Sequence, residues 1–388
     1  MTMRTRIAVV LVSAPVLAFA VVGGLLGRTS ARQETYPHLA VFDDVFSLTT
    51  SNYVEPVDVD KLMHGAMQGL ADSLDADSAF LTAEQTKGVE SGAPLPSGDI
   101  GVDLARQYYL RIIAVRDGSP AAKAGLRSGD FVRLIDRQPT REMSVWEGIR
   151  KLRGKAGTPV SLTIIRGNAA DPHVVSLTRE DLTPVQPVAR MIGGSVGVVR
   201  VAEFTDQTPA ALRTSIAQLQ KGGAKALVLD LRNTARGSLM SGIAAARLFV
   251  ASGTLAMQDT RGASRQTISA ATGDGSVTMP MAVLVDNGTT GAAELFASAL
   301  AGQKRAELLG ERTGGRAAQQ RLFKLPDGSA LWMSYAWYLT PAGAPIHERG
   351  LQPDVAIEQP DVEFGAELPT ADTTLDKAIE RLRGRLSS

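Results

Sequence analysis

From Gly193 onward short apolar runs alternate with helix-length segments, and this rhythm constrains the fold more than any other feature of the chain. The runs VGVVRV (Val196 to Val201), KALVLDLR (Lys225 to Arg232) and MAVLVD (Met281 to Asp286) have the length and branched-apolar content of buried strands. Helical patterns follow them after Pro209, across Ile243 to Val250 and across Ala292 to Leu300. Strands separated by helices predict an α/β domain with a sheet between helices. In such folds chemistry gathers at strand-to-helix turns, where free backbone N–H groups and the helix dipole hold negative charge. Two turns qualify, and neither contains a GxxxxGK[ST] phosphate loop, so no nucleotide site is expected.

The rest of the chain sets its context. At roughly 150 residues per domain, 388 residues suggest two or three domains. Lys plus Arg number 41 and Asp plus Glu 40, so no positive excess is available for nucleic acid. The absence of Cys removes disulfides, thiol nucleophiles and Cys-rich zinc sites. The four His (His38, His64, His173, His347) lie far apart without HExxH spacing, so neither metal nor cofactor is expected. Arg4 and Arg6 precede a charge-free run from Ile7 to Gly27, 21 residues that as a helix would span roughly 31 Å, the thickness of a bilayer core. The expectation is an exported chain, with this segment serving as a membrane anchor or, if cleaved after Ala20, as a signal peptide. The remainder would face the periplasm or the cell exterior.

Between Tyr36 and about Glu84 apolar residues recur at helical spacing: Leu39, Val41, Phe42, Val45, Phe46 and Leu48, then Leu62, Met63, Met67, Leu70 and Leu74. Two amphipathic helices, broken at Asn52 to Pro56, are predicted to support the next domain. A Gly/Ser/Pro-rich stretch at residues 85–98 marks a boundary. Beyond it, DIGVDL (Asp99 to Leu104) and LRIIAV (Leu110 to Val115) read as strands. In the string that follows, Ser119 suits an N-cap, Pro120 the first helical position and Gly125 the stop. Gly129-Asp130 turns into FVRLI, Ser144 to Glu147 is a capping box opening a helix to about Leu152, and VSLTIIR (Val160 to Arg166) closes the unit.

This unit resembles a PDZ domain over its whole length. The resemblance implies an extended peptide added as a strand, its terminal carboxylate held by backbone N–H groups of a loop, here Ser97 to Gly101. It also implies a groove between Ile100, Val102 and Leu104 on one side and Val145, Ile149 and Leu152 on the other. Each of these residues alone reads equally as core; as a set they support the groove. Asp99 beside the loop opposes an incoming carboxylate.

LDLRNTARGSL (Leu229 to Leu239), VLVDNGTTGAAELFASAL (Val283 to Leu300), LLGERTGGRAAQQ (Leu308 to Gln320) and HERGLQPDV (His347 to Val355) resemble the carboxy-terminal processing peptidases, or tail-specific proteases. SLDADSAFLT (Ser73 to Thr82) and the order of segments resemble them too. The resemblance covers roughly residues 36–356 and implies a crotonase-like core, a Ser nucleophile and a Lys general base. Carried over residue by residue, it breaks at the chemistry. Fixing Glu294 on the family's Glu puts Gly291 at the nucleophile, and fixing Glu311 and Thr313 puts Arg316 at the base. Glycine has no side-chain oxygen, and a guanidinium with a pKa above about 12 cannot shed its proton. Gln320 matches the family's assisting Gln. The oxyanion-hole turn reads Thr234-Ala235-Arg236-Gly237, with Arg236 in place of a Gly, which would close the hole or re-aim its N–H.

These readings give an α/β crotonase-like peptidase core, a PDZ domain of α+β class and an N-terminal helical lead-in. The expected boundaries are residues 1–32 for the anchor or signal peptide, 33–96 for the helical region, 97–182 for the PDZ domain, 183–360 for the α/β domain and 361–388 for a tail. That tail offers a helix from about Asp372 to Leu386 whose apolar face suits the lead-in helices or a second subunit. The function read from this is a non-cutting peptidase relative that holds polypeptide C-termini or unfolded segments, with Arg316 as an added cation in an empty cleft. Its partners would be those polypeptides, an active homologous peptidase, the membrane through the N-terminal segment and a second copy, with no nucleic acid. Two alternatives stand beside it: an endopeptidase with Thr290 as a displaced nucleophile, and a PDZ interaction scaffold. Thr289 and Thr290 read first as caps of the Ala292 helix, Ser238 as another cap, and Lys304 and Lys324 as surface charges.

Overall fold

The computed structural model describes residues 36–167, 171–360, 362–366 and 371–387. The Ile7 to Gly27 run lies outside them, and among the described residues no helix is long and apolar enough to cross a membrane. The chain divides into two units, Met1–Met67 and Gln68–Ser388. Asn52 ends the helix Tyr36–Asn52, and a second helix, Val59–Asp72, follows the predicted break. The apolar residues Leu39, Val41, Phe42, Val45 and Leu48 of the first helix are exposed.

The second unit is organised around a six-stranded sheet. Its strands run Val188–Ile192, Val196–Arg200, Ala226–Asp230, Met281–Val285, Ala306–Gly310 and Val355–Ala356, in spatial as in chain order. The first pair is antiparallel and the rest are parallel. All five residues of Ala226–Asp230 and of Met281–Val285 are buried, because both faces of the sheet are covered. Leu227, Leu229, Met281 and Val283 pack with the helices Thr208–Lys221, Leu239–Ala246 and Ala292–Gly302. The alternate residues Ala226, Val228, Ala282 and Leu284 pack under Leu375, Ala378, Ile379 and Leu382 of the C-terminal helix Thr373–Ser387. The tail helix therefore covers the α/β domain's own sheet, which is neither of the two partners expected for its apolar face. The helix predicted across Ile243 to Val250 begins earlier, at Leu239, because Ser238 Oγ accepts from Ser241 N–H at 3.0 Å and starts it there.

A second sheet, not predicted as such, pairs Ala79–Leu81, Ala330–Leu339, Thr254–Thr260 and Gln266–Ser269, with Ala318–Lys324 added on Ala330–Leu339. The PDZ sheet orders Val102–Gln107, Tyr109–Val115, Phe131–Ile135, Pro159–Ile165 and His173–Thr178. The unit is closed by His173–Thr178, not by the strand near Val160, and Glu180–Asp181 then pairs with Gly98–Asp99. Both predicted capping devices are present. Ser119 caps Pro120–Lys123, and Ser144 with Glu147 boxes the start of Val145–Leu152.

Candidate functional site

The site is built around Glu294, which is fully buried in the first turn of Ala292–Gly302. Its Oε2 accepts from Gly291 N–H at 2.9 Å and from Arg316 N–H at 2.8 Å. Oε1 accepts from Gly315 N–H at 2.7 Å and from Thr313 Oγ–H. Burial pushes this carboxyl above its ordinary range against those four donors. One carboxylate thus sews the turn at 291 to the stretch 313–316, so Gly291 and Arg316 adjoin. A Cβ built on Gly291 would lie 3.7 Å from the Arg316 carbonyl oxygen.

Gly291 is the helix N-cap, with φ +60° and ψ −114°, a conformation that favours glycine. Thr289 and Thr290, expected as caps, are not. The Glu294 carboxylate does that work from inside the helix. Thr289 Oγ instead closes its own turn, donating to the Leu231 carbonyl at 2.9 Å and accepting from Asp286 N–H at 3.0 Å. Thr290 is buried, and its Cγ2 fills the space beside Gly314, where a Cβ would stand 2.6 Å from it.

Arg316 is not a free cation. Its Nε donates to Asp77 Oδ2 at 3.0 Å, Nη2 donates to Asp77 Oδ1, and Nη1 donates to the Leu104 carbonyl at 2.9 Å. Burial opposes the charge, but Asp77 outweighs it and raises the guanidinium further. Gln320 lies past an irregularity in the pairing of Ala318–Lys324, and its Nε2 donates to Ser334 Oγ at 3.4 Å. Among the other hydroxyls and amines, Ser238 is the helix cap expected, Lys304 is exposed, and Lys324 pairs with Glu90.

The turn expected to form an oxyanion hole, Thr234 to Gly237, adjoins the turn at 291, since Thr290 N–H donates to the Thr234 carbonyl at 3.0 Å. Gly237 has φ +127°, and a Cβ there would strike the Phe204 carbonyl oxygen at 2.1 Å, so glycine is required. Arg236 leaves the turn altogether. Its Nη2 donates to Asp99 Oδ2 at 2.9 Å and to the Val102 carbonyl at 3.3 Å, and its Nε to Asp103 Oδ2 at 3.1 Å. Behind the turn, Asp286 accepts from Asn233 N–H at 2.9 Å, and burial pushes it up to about 6.

In the PDZ unit the expected groove residues serve its core. Ile100, Val102, Leu104, Val145 and Leu152 are each 6% exposed or less, and Ile149 is half-buried. Asp99 does not stand bare beside the loop. Burial alone would raise its carboxyl, but Arg236, Gly101 N–H and Arg153 hold it below its usual range. Reading the motifs missed Asp77 and Asp103, the partners of the two arginines. It singled out SLDADSAFLT without assigning a role to its acids, although a carboxylate beside a degenerate base position was the available signal. On the same loop Asp75 Oδ2 lies 3.4 Å from Nε2 of the buried His347. Among the described residues no group of His, Asp and Glu is placed to hold a metal.

The sequence pattern of peptidase family S41 matches residues 195–357, and that of a PDZ domain matches 111–166. The carboxy-terminal-processing protease of Bartonella bacilliformis is 32% identical over 340 residues, 86% of this chain and 78% of the relative. The carboxyl-terminal-processing protease of Synechocystis is 35% identical over 280 residues, 71% of this chain and 65% of the relative. Among solved structures, a photosystem II D1 C-terminal processing protease superposes with a TM-score of 0.68 at 28% identity, over 80% of this chain and 85% of that one.

Proposed function

Because this chain belongs to the carboxy-terminal-processing protease family, we propose that it is a member that holds polypeptide without cutting it, as an adaptor or regulator in the cell envelope. The observation that carries this reading is the pairing at the two reactive positions. Gly291 offers no hydroxyl, and the group in the base's place is a guanidinium engaged by Asp77 and the Leu104 carbonyl. The displaced-nucleophile alternative has no such support, since Thr290 is buried with its methyl against Gly314. In this reading the Ile7 to Gly27 run holds the chain at the membrane, and its partners are exposed C-termini or unfolded segments.

The test is mass spectrometry of an unfolded client protein incubated with the purified chain. The expected result is no new termini with the wild type. Cleavage that disappears in Thr290→Ala would overturn the proposal and install Thr290 as nucleophile.

A further inference from the structure

The edge of a PDZ sheet that would accept a peptide strand must offer unpaired backbone carbonyls and a seat for the terminal carboxylate. In this chain the strand Val102–Gln107 pairs on one side with Tyr109–Val115 and, among the described residues, with no other strand. Val102 and Leu104 are two residues apart. Their carbonyls accept from Arg236 Nη2 at 3.3 Å and from Arg316 Nη1 at 2.9 Å. The seat is filled as well. Gly101 N–H, in the loop expected to hold a carboxylate, donates to Asp99 Oδ1 at 3.1 Å. Asp99 Oδ2 lies 2.9 Å from Arg236 Nη2 and 3.1 Å from Arg153 Nη2. A backbone N–H and two guanidiniums converging on one carboxylate make an anion site, and the side chain inside it is only 4% exposed.

We propose that this PDZ module carries a working carboxylate site, made by Gly101 N–H, Arg153 and Arg236, that is plugged by the chain's own Asp99. Its strand edge is at the same time clasped to the core by Arg236 and Arg316. The two guanidiniums that replace the family's hole glycine and base are therefore the groups that close the peptide edge. The clasp reaches further through Asp77, which holds Arg316 from the loop ahead of the PDZ unit, and through Arg200, whose Nε donates to Asp117 Oδ2 at 2.9 Å. The ligand that opens it is a peptide with a free C-terminal carboxylate, because that group replaces Asp99 in kind while its backbone replaces the guanidiniums on the strand.

This inference rests on the polypeptide-holding reading but is read out by binding, whereas that reading is tested by cleavage, so the two can fail separately. The experiment uses fluorescence polarisation of a labelled apolar peptide with a free C-terminus, and of the same peptide amidated. Wild type, Arg316→Gln and the double variant Asp99→Ser, Arg316→Gln are compared. The wild type should bind the free-acid peptide weakly and the amide more weakly still. The double variant should bind the free-acid peptide about tenfold tighter or more, the yield of one charge-assisted hydrogen bond, with no gain for the amide. Hydrogen exchange gives the second readout. In Arg316→Gln the segment 99–107 should exchange faster while Pro159–Ile165 stays protected, which separates an opened clasp from an unfolded module. Equal free-acid affinity in wild type and double variant, or unchanged exchange at 99–107 in Arg316→Gln, would overturn the proposal.

Discussion

Asp286→Asn should stabilise the protein at pH 8 and do so less at pH 5. The carboxyl sits at the end of Met281–Val285, behind the oxyanion-hole turn. Burial is the main reason it is pushed from 3.8 to about 6, with Asp230 adding and Asn233 N–H, Thr289 and Arg200 opposing. A folded-state pKa raised above the unfolded value means that the folded chain disfavours the ionised form. The stability tied to this group is complete below pH 3.8 and is lost as pH rises through about 6. A shift of about two units corresponds to a penalty of about 3 kcal/mol once the group is fully ionised in both states, and about half of that at pH 5. An Asn side chain keeps an oxygen for Asn233 N–H and offers an amide donor towards Thr289 Oγ. Urea unfolding of both proteins at the two pH values measures the difference, and titrations shared by both chains cancel in it. The expected gain is about 3 kcal/mol at pH 8 and about half of that at pH 5. A gain of the same size at both pH values, or a loss at pH 8, would refute the burial argument.

Glu294→Gln should cost about 1 to 3 kcal/mol, because the amide nitrogen, whichever oxygen it replaces, faces at least one N–H donor that loses its acceptor; thermal unfolding checks it, and wild-type stability would show that the carboxylate does not tie 291 to 316. Restoring the dyad with Gly291→Ser and Arg316→Lys should leave the new Lys protonated beside Asp77, so adding Asp77→Asn should raise cleavage at neutral pH, measured on the same client protein; equal rates with and without Asp77 would contradict this.

The local devices were legible because each is written within a few residues. Apolar runs bounded by helix-length segments identified the parallel strands, and Ser119, the Ser144–Glu147 box and Ser238 marked three helix starts. Glu294 and Thr313, which set the two frames, are joined by a hydrogen bond. The errors arose where a second residue answered the same need. A Thr ahead of a helix ordinarily caps it, but Gly291 occupies the cap and Glu294 supplies the acceptor, leaving Thr289 to its own turn. The apolar groove residues could not be told from core by spacing alone, and in the structure they pack within the core of the PDZ unit. What no periodicity contains is pairing between distant segments. Arg316 meets Asp77 across 239 positions, and Arg236 meets Asp99 across 137.

Those distant pairs explain why the substitutions at 236 and 316 belong together. A general base must be neutral to accept a proton, whereas the partner of a buried carboxylate is most stable when charged, so one side chain cannot serve both ends. A lysine at 316 would be drawn towards Asp77 and would lose basic function as its pKa rose. An arginine gives up nothing further, and its planar fork reaches the carboxylate with Nε and Nη2 while Nη1 remains free for the Leu104 carbonyl. At 236 the same geometry serves Asp99, Asp103 and the Val102 carbonyl at once. In the non-cutting reading proposed above, the three positions are one without a side chain, Gly291, and two rigid forks that face the PDZ strand. On that proposal the chain has exchanged a reaction for an internal interface, and any polypeptide that enters must first compete with the protein's own carboxylates and guanidiniums.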